Sequence, residues 1–528
     1  MVFSLLERDL TIDDVINYGR NRKEILYLSR DVSRENSDVG REFMEKLLSD
    51  FKATVKIYGV THAYGHRVGE EISAEQRLSL PENLINSMII GIGADLPMEW
   101  SRGFNIARIS AVAKKYSGIK TSTLQAWIDM SNAGILTRIP YLGSVGASGD
   151  LIPSAYPVGA LMGLEQVSVK YKGKKMPAPE ALQKAGLKPL VLSDKEAIGL
   201  INGVTLSAVG GAFAINDTFN LMLISDLLTA FFNQVLLGST EPYWPEIHEL
   251  KGHPGQIESA RNILNFSKGS KLLHHVVRTV EELEKGVKEE DSYLLQPFYE
   301  QRCAPQLTGA GLDFLKPSRE VLSRELNAVS DNPLVFPDKG KYAQGGNFFG
   351  MHLTYGMDIC SKAIYNVCNL IDMQFHGLLD TSHNYGLSSG LIFPGSNATM
   401  GFQTAQLLVT SIMSFLDTVS YPTLSRWTDG HNQKITSMCM RAAWGVVKDI
   451  DLAHGAAATF LLALCQAADL RGGRKNLSQA AKLAYDAVRD KVPTLENDRP
   501  MQHDVEYVMD KVLSDQGLLK ELKTIAVS

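Results

Sequence analysis

Residues 143–154 read GSVGASGDLIPS, with Gly143, Gly146 and Gly149 set around the single Ser148. Residues without a Cβ reach positive φ and let other groups approach closely, so three of them in seven positions mark a backbone under tight geometric demand. No phosphate-loop lysine follows, and the serine lacks the surroundings of a catalytic triad. One chemistry would use the backbone itself. If the Gly149 nitrogen attacks the Ala147 carbonyl carbon, a five-membered ring closes across Ser148. Loss of water from the ring and from the side chain then leaves an exocyclic methylidene, an electrophile built from main chain, and glycine at the third position leaves room for that approach.

The rest of the chain is consistent with a large helical host for such a loop. It has 528 residues, of which 45% are hydrophobic, and its formal charge of −5 is small for that length. Lys and Arg are scattered, so neither a nucleic-acid stripe nor a membrane-binding face is expected and a small-molecule partner is the default. The start MVFSLLERDLTIDD places acids where a signal peptide needs a basic start, and no stretch of about 18 uncharged apolar residues follows, which predicts a cytoplasmic protein. Five irregularly spaced cysteines form neither a disulfide framework nor a zinc site, and HExxH is missing, so no metal is expected.

Apolar residues recur at helical spacing in MEKLLSDFKATV, LMLISDLLTAFFNQVLL, CSKAIYNVCNLIDMQFHGLL, TAQLLVTSIMSFLDTV and HGAAATFLLALCQAADL. Several are apolar on nearly all sides, which places them among other helices or between subunits. QVSVKYKG, turning through KYKGKKMP, is the clearest strand signal, and no βαβ alternation is visible. The expectation is a mainly α protein with a long central helical bundle and few short strands. One catalytic body is expected, with the loop in residues 1–195 and the bundle in 196–528.

The motif GSVGASGDLIP resembles the signature of the ammonia-lyase and aminomutase family that builds 4-methylideneimidazol-5-one (MIO) from Ala-Ser-Gly. Other stretches resemble that family's motifs in order: YGVTHAYG at 58–65, LINGV at 200–204, YEQRCAPQ at 299–306, ELNAVSDNPL at 325–334, GGNFFG at 345–350 and HNQ at 431–433. Histidine, phenylalanine and tyrosine ammonia-lyases belong to it. The resemblance implies the helical bundle fold, MIO formed from Ala147, Ser148 and Gly149 with no dissociable cofactor, and a homotetramer whose active sites draw residues from several subunits. It also implies an amino-acid substrate.

The same resemblance implies the residue roles. Tyr58 matches the family base, and a tyrosine, whose pKa is about 10 unperturbed, serves as a base only if neighbours favour its phenolate. Asn202 and Tyr299 match residues beside the electrophile, where amide and phenol donors stabilise charge. Arg302 matches the clamp on the substrate carboxylate, which suits a guanidinium fork. Phe348 matches an aromatic packed against the electrophile, Gln406 and Gln433 match polar site residues, and Asn332 is close by or braces a turn. Ser87 and Met88 occupy the pair that reads the substrate side chain.

The departures concern that pair and the local charge. Relatives acting on histidine, tyrosine and phenylalanine resemble SH, HL and FL at the pair; Ser87-Met88 has no histidine for an imidazole or phenol partner, and methionine adapts to varied shapes. Phe415 stands where the family generally has a glutamate, and Lys434 where relatives have an acid. His62, Tyr64, Tyr156 and Pro297-Phe298 also differ, and His62 and His66 are candidates for the polar contact that the pair lacks. The resemblance implies an ammonia-lyase for an L-aromatic or histidine-like amino acid. Its alternatives are a 2,3-aminomutase, elimination of trimethylamine from a histidine betaine by an aromatic cage of Tyr64, Phe298, Phe348, Phe349 and Phe415, and a non-catalytic binding or assembly relative.

Overall fold

The computed structural model describes residues 2–527 apart from 22–24, 52–53, 289–294, 397, 420, 429–432 and 515–516. Helices dominate, as the periodicity requires, and the four longest are Thr205–Val235, Ala304–Leu326, Met351–Leu379 and Cys439–Leu470. Cys439–Leu470 is long and apolar enough to cross a bilayer, yet most of its apolar window is buried within the protein, as in a core helix. Internal contacts divide the chain into two compact units. The first comprises Met1–Ala214, Ser318–Met357 and Pro422–Trp444, and the second Ile215–Pro317, Asp358–Tyr421 and Gly445–Ser528.

In the first unit, strand Ser168–Tyr171 pairs antiparallel with Lys174–Pro177 and with Leu136–Thr137, so the sequence signal around QVSVKYKG is a true hairpin. Its two-residue turn holds Lys172 and Gly173 at φ 47° and 81°, the positive-φ pair whose twist matches flanking strands. Strand Pro140–Leu142 pairs with Ile92–Asp95 and runs directly into the glycine-rich loop. The Tyr141 ring stacks on Trp444 at 5.1 Å between centroids, and Trp444 meets fully buried Trp100 edge to face at 6.2 Å. Aromatic pairs of this geometry contribute about 0.5–1.5 kcal/mol each beyond their buried area, which fixes the approach to the loop.

Helix Met98–Ala113 is buried on almost every side and carries Trp100, Phe104 and the fully buried Arg108. Helix Leu151–Leu161 leaves the glycine-rich loop, Glu196–Ile201 ends at Asn202, and the first turn of Thr205–Val235 begins just beyond. These termini all converge on residues 147–149. The second unit has its own core, in which Phe460 packs against Phe232 and Phe375 at 5.9 and 5.6 Å. There Asp226 is fully buried and accepts from Ser259 Oγ at 2.5 Å and Asn262 Nδ2 at 2.9 Å. Burial pushes its pKa up to about 8.

Candidate active site

Gly149 sits at φ 72°, and a Cβ there would lie 2.1 Å from the Gly203 carbonyl oxygen. Only glycine permits this contact, because the left-handed region and the facing backbone both exclude a side chain. The contact is organised by hydrogen bonds on either side. Gly203 N donates to the Ser148 carbonyl oxygen at 3.3 Å, and Asp150 N donates to the Gly203 carbonyl at 2.8 Å. Asn202 Nδ2 also donates to the Ser148 carbonyl oxygen, at 2.7 Å. One carbonyl oxygen thus faces two donors, one main-chain and one side-chain, in the manner of an oxyanion hole.

Asp150 anchors the tripeptide from the other end. Its carboxylate accepts from Ser144 Oγ at 3.0 Å, Ser207 Oγ at 2.8 Å and Ser207 N at 2.8 Å. The last contact places a negative charge in the first turn of helix Thr205–Val235, where the helix dipole favours it. Burial nevertheless dominates and pushes the Asp150 pKa up to about 6, against hydrogen bonds from Ser207 and Ser144 and the charge of Arg108.

The tripeptide forms part of the wall of a cavity of about 870 Å³. Tyr58, Ala147, Ser148, Gly149, Asn202, Phe348 and Gln433 all line it, as do Tyr64, His66 and Lys434. Tyr58 comes from a loop locked by its own aromatics. Gly59 at φ 68° lets the Tyr64 ring lie where a Cβ would be 2.3 Å away, Tyr64 Oη donates to the Gly59 carbonyl at 3.2 Å, and the two tyrosine rings meet edge to face at 5.8 Å. Gly65 N donates to Tyr58 Oη at 3.0 Å, a bond that favours the phenolate. Burial, helped by Tyr58 and Asp194, pushes the Tyr64 phenol well above its usual pKa, so Tyr64 stays protonated as a donor. Gln433 Nε2 donates to Ser148 Oγ at 3.2 Å. His431 and Asn432 of the HNQ motif lie outside the described residues.

Other sequence-derived candidates fall elsewhere. Met88 lines the cavity with Leu84 and Val68, whereas Ser87 does not, because its Oγ turns back to the Leu84 carbonyl at 2.8 Å as helical serines do. Asn332 lines it too and accepts from Gly345 N at 2.7 Å, so it also braces a turn. Tyr299, Arg302, Gln406 and Phe415 belong to the second unit and are not among the lining residues. Within that unit the Arg302 guanidinium lies over the Tyr299 ring at 4.6 Å, while Tyr299 and Phe415 are 71% and 60% exposed. His62 pairs with Thr61 Oγ1 at 3.1 Å, and Tyr156 Oη donates to the Gly91 carbonyl at 3.2 Å. Among the described residues no cluster of His, Cys, Asp and Glu is arranged to hold a metal.

The sequence reading missed the main-chain donors of Gly65 and Gly203 and the roles of Asp150 and Arg108. The glycines and Asp150 were already within the quoted motifs, so their positions were visible even though their contacts were not. Arg108 carried no motif signal beyond a charge amid apolar residues on a helix.

Known proteins place this arrangement. The model of the aromatic amino acid lyase family matches residues 10–490. A histidine ammonia-lyase of Streptococcus pyogenes is 31% identical over 99% of this chain and 98% of its own. Among solved structures, the Pantoea agglomerans phenylalanine aminomutase superposes with a TM-score of 0.90 at 28% identity, over 98% of this chain and 100% of that one. Tyrosine aminomutase from Streptomyces globisporus gives 0.89 at 29% identity, over 99% of both chains. The fold and the relatives define a carbon–nitrogen lyase. The chain belongs to the aromatic amino acid lyase family.

Proposed function

We propose that the protein is an MIO-dependent ammonia-lyase that converts an L-aromatic amino acid into its α,β-unsaturated acid and ammonia. The observation that carries this reading is the Ser148 carbonyl oxygen, held by Asn202 Nδ2 and Gly203 N on the wall of a cavity that Tyr58 also lines. Residues 147–149 fit the prosthetic group. The Gly149–Gly203 contact leaves no space for a side chain at the nitrogen that must close the ring, and Gln433 donates to the hydroxyl that must leave as water. The ring formed from Ala147, Ser148 and Gly149 would supply an electrophile that makes the substrate's amine a better leaving group.

The chain's own residues supply the rest. Tyr58, with its phenolate favoured by Gly65 N, takes the proton from Cβ. Asn202 and Gly203 steady negative charge at the Ser148 oxygen, and the buried Asn202 Oδ1, which has no partner among the described residues, is an acceptor for the substrate's ammonium. A second copy of the chain, in a cytoplasmic homotetramer, supplies Tyr299, Arg302, Gln406 and Phe415. The exposed Tyr299 and the exposed apolar Leu407, Leu408 and Phe415 on helix Gln403–Val419 support that assembly. Arg302 then grips the carboxylate.

Among the described residues lining the cavity none is Asp or Glu, while Leu84, Met88, Val68, Ile198, Phe348 and Phe349 make its described wall apolar. That wall suits a neutral aromatic ring better than an imidazolium or a quaternary ammonium, and Phe415 in place of a family acid points the same way. A 2,3-aminomutase is the second reading, supported by the two aminomutases of similar structure. The test is to incubate the protein with phenylalanine, tyrosine, histidine and their betaines, following amine release and products by mass spectrometry. Ammonia with an unsaturated acid from phenylalanine or tyrosine is expected. A β-amino acid selects the aminomutase, and turnover of histidine or trimethylamine release alone refutes the neutral-ring reading.

A further inference from the structure

We propose that Arg108 is the positioning residue for ring closure across residues 147–149, an inference that rests on the reading that the protein matures through that ring. Arg108 is 1% exposed on helix Met98–Ala113, and its hydrogen bonds go to one segment, residues 199–205. Its Nη2 donates to the carbonyls of Gly199 and Asn202 at 2.5 Å each, its Nε to the Leu200 carbonyl at 3.0 Å, and its Nη1 to Thr205 Oγ1 at 3.1 Å. These are the last carbonyls of helix Glu196–Ile201 and the first residue of helix Thr205–Val235. Helix C-terminal carbonyls need partners, and a cation meets them with favourable dipole sense. Burying a guanidinium in this place costs far more than a cap requires, because uncharged groups cap helices elsewhere.

What the guanidinium holds explains the expense. Residues 202 and 203 stand between its carbonyl contacts and Thr205, and they carry every bond that shapes the tripeptide from that side. Asn202 Nδ2 and Gly203 N donate to the Ser148 carbonyl, and the Gly203 carbonyl accepts from Asp150 N. A Cβ on Gly203 would lie 2.3 Å from Ser330 Oγ and 2.9 Å from Arg108 Nη1, so the loop is wedged against the guanidinium with no slack. The planar fork, with several donors fixed in one plane, sets three carbonyls at once as an ammonium cannot.

The step that Arg108 positions is balanced without an oxidant. The Gly149 nitrogen bonds to the Ala147 carbonyl carbon, and that oxygen leaves as water with the hydrogens of the Gly149 and Ser148 nitrogens. A second water takes the Ser148 hydroxyl and its Cα hydrogen. Both losses depend on Gly149 N being pressed toward Ala147, and the loop that Arg108 holds is what presses it.

The experiment compares wild type with Arg108→Met, Arg108→Lys and Thr205→Val, each checked for fold by circular dichroism. Ring closure is followed in time by intact mass, as loss of two waters, and by the near-ultraviolet band of the conjugated ring. Misplacing reacting groups by about 1 Å costs on the order of 100-fold, so Arg108→Met closes about 100-fold more slowly, with Arg108→Lys in between. Thr205→Val removes one charged hydrogen bond at the edge of the fork and slows closure by about tenfold. Folded variants that close at the wild-type rate overturn the proposal; should Arg108→Met fail to fold, Thr205→Val decides by the same criterion. A wild-type protein that loses no water refutes the ring itself, a distinct result that removes the reading on which the proposal stands.

Discussion

Replacing Gly149 by alanine tests the geometry of the tripeptide directly. Two costs follow from its surroundings. At φ 72° an L-residue pays about 1–2 kcal/mol for left-handed backbone. The new Cβ would lie 2.1 Å from the Gly203 oxygen and 2.2 Å from its carbon, so the strands must separate by more than 1 Å to reach ordinary contact. That separation breaks the Gly203 N to Ser148 bond and the Asp150 N to Gly203 bond, each worth about 1 kcal/mol. Gly149→Ala is therefore destabilised by about 3–4 kcal/mol, which lowers the melting temperature by about 3 °C for a chain of 528 residues. Ring closure slows by about 100-fold at the same time. Thermal unfolding followed by tryptophan fluorescence reads the first effect, and intact mass the second. A variant that melts within about 1 °C of wild type and loses two waters at the wild-type rate would falsify the claim that this contact drives cyclisation.

Tyr58→Phe removes the proposed base but keeps the ring edge against Tyr64, so kcat falls by about 10²–10⁴ while KM and the melting temperature change little; steady-state kinetics with the best substrate measures this. Lys195 and Asp331 form a fully buried pair at 2.6 Å, and Lys195→Met leaves the carboxylate uncompensated. Its cost is about 3–5 kcal/mol in urea denaturation, larger than for the double replacement Lys195→Met with Asp331→Leu. Burial raises the Asp150 pKa from its usual 3.8 to about 6, so the folded state binds the extra proton between those values. The stability that Asp150 contributes is thus present below about pH 3.8 and is lost as pH rises through about 6. The stability of wild type relative to Asp150→Asn, measured by unfolding midpoints across that window, should fall as pH rises from about 3.8 to about 6, and a pH-independent difference contradicts the assignment.

Much of the fold was legible because its signals are local. The period of the apolar residues marked three of the four longest helices but not Ala304–Leu326, and alternation with a Lys-Gly turn marked the 168–177 hairpin. The tripeptide and Tyr58 were legible for a different reason, since their motifs name side chains and a glycine whose chemistry is carried by residue type. What sequence could not supply is held by main chain and burial. Nothing in a motif says that Gly65 N points at Tyr58 Oη or that Gly203 N shares the Ser148 carbonyl with Asn202. Arg108 was invisible because its hydrogen bonds go mostly to backbone carbonyls, which no motif names. Ser87 misled because a helical serine can satisfy its hydroxyl on its own preceding turn, which no residue pairing reveals.

The central claim is that Ala147, Ser148 and Gly149 become the electrophile, and the intact mass of the purified protein beside that of Ser148→Ala tests it most directly. The account predicts that wild type weighs two waters less than its sequence, with the loss mapped by proteolysis to the peptide containing residues 147–149. It predicts that Ser148→Ala does not show the two-water loss and releases no ammonia from phenylalanine or tyrosine. A wild-type protein at its full sequence mass that still releases ammonia from those substrates would contradict it.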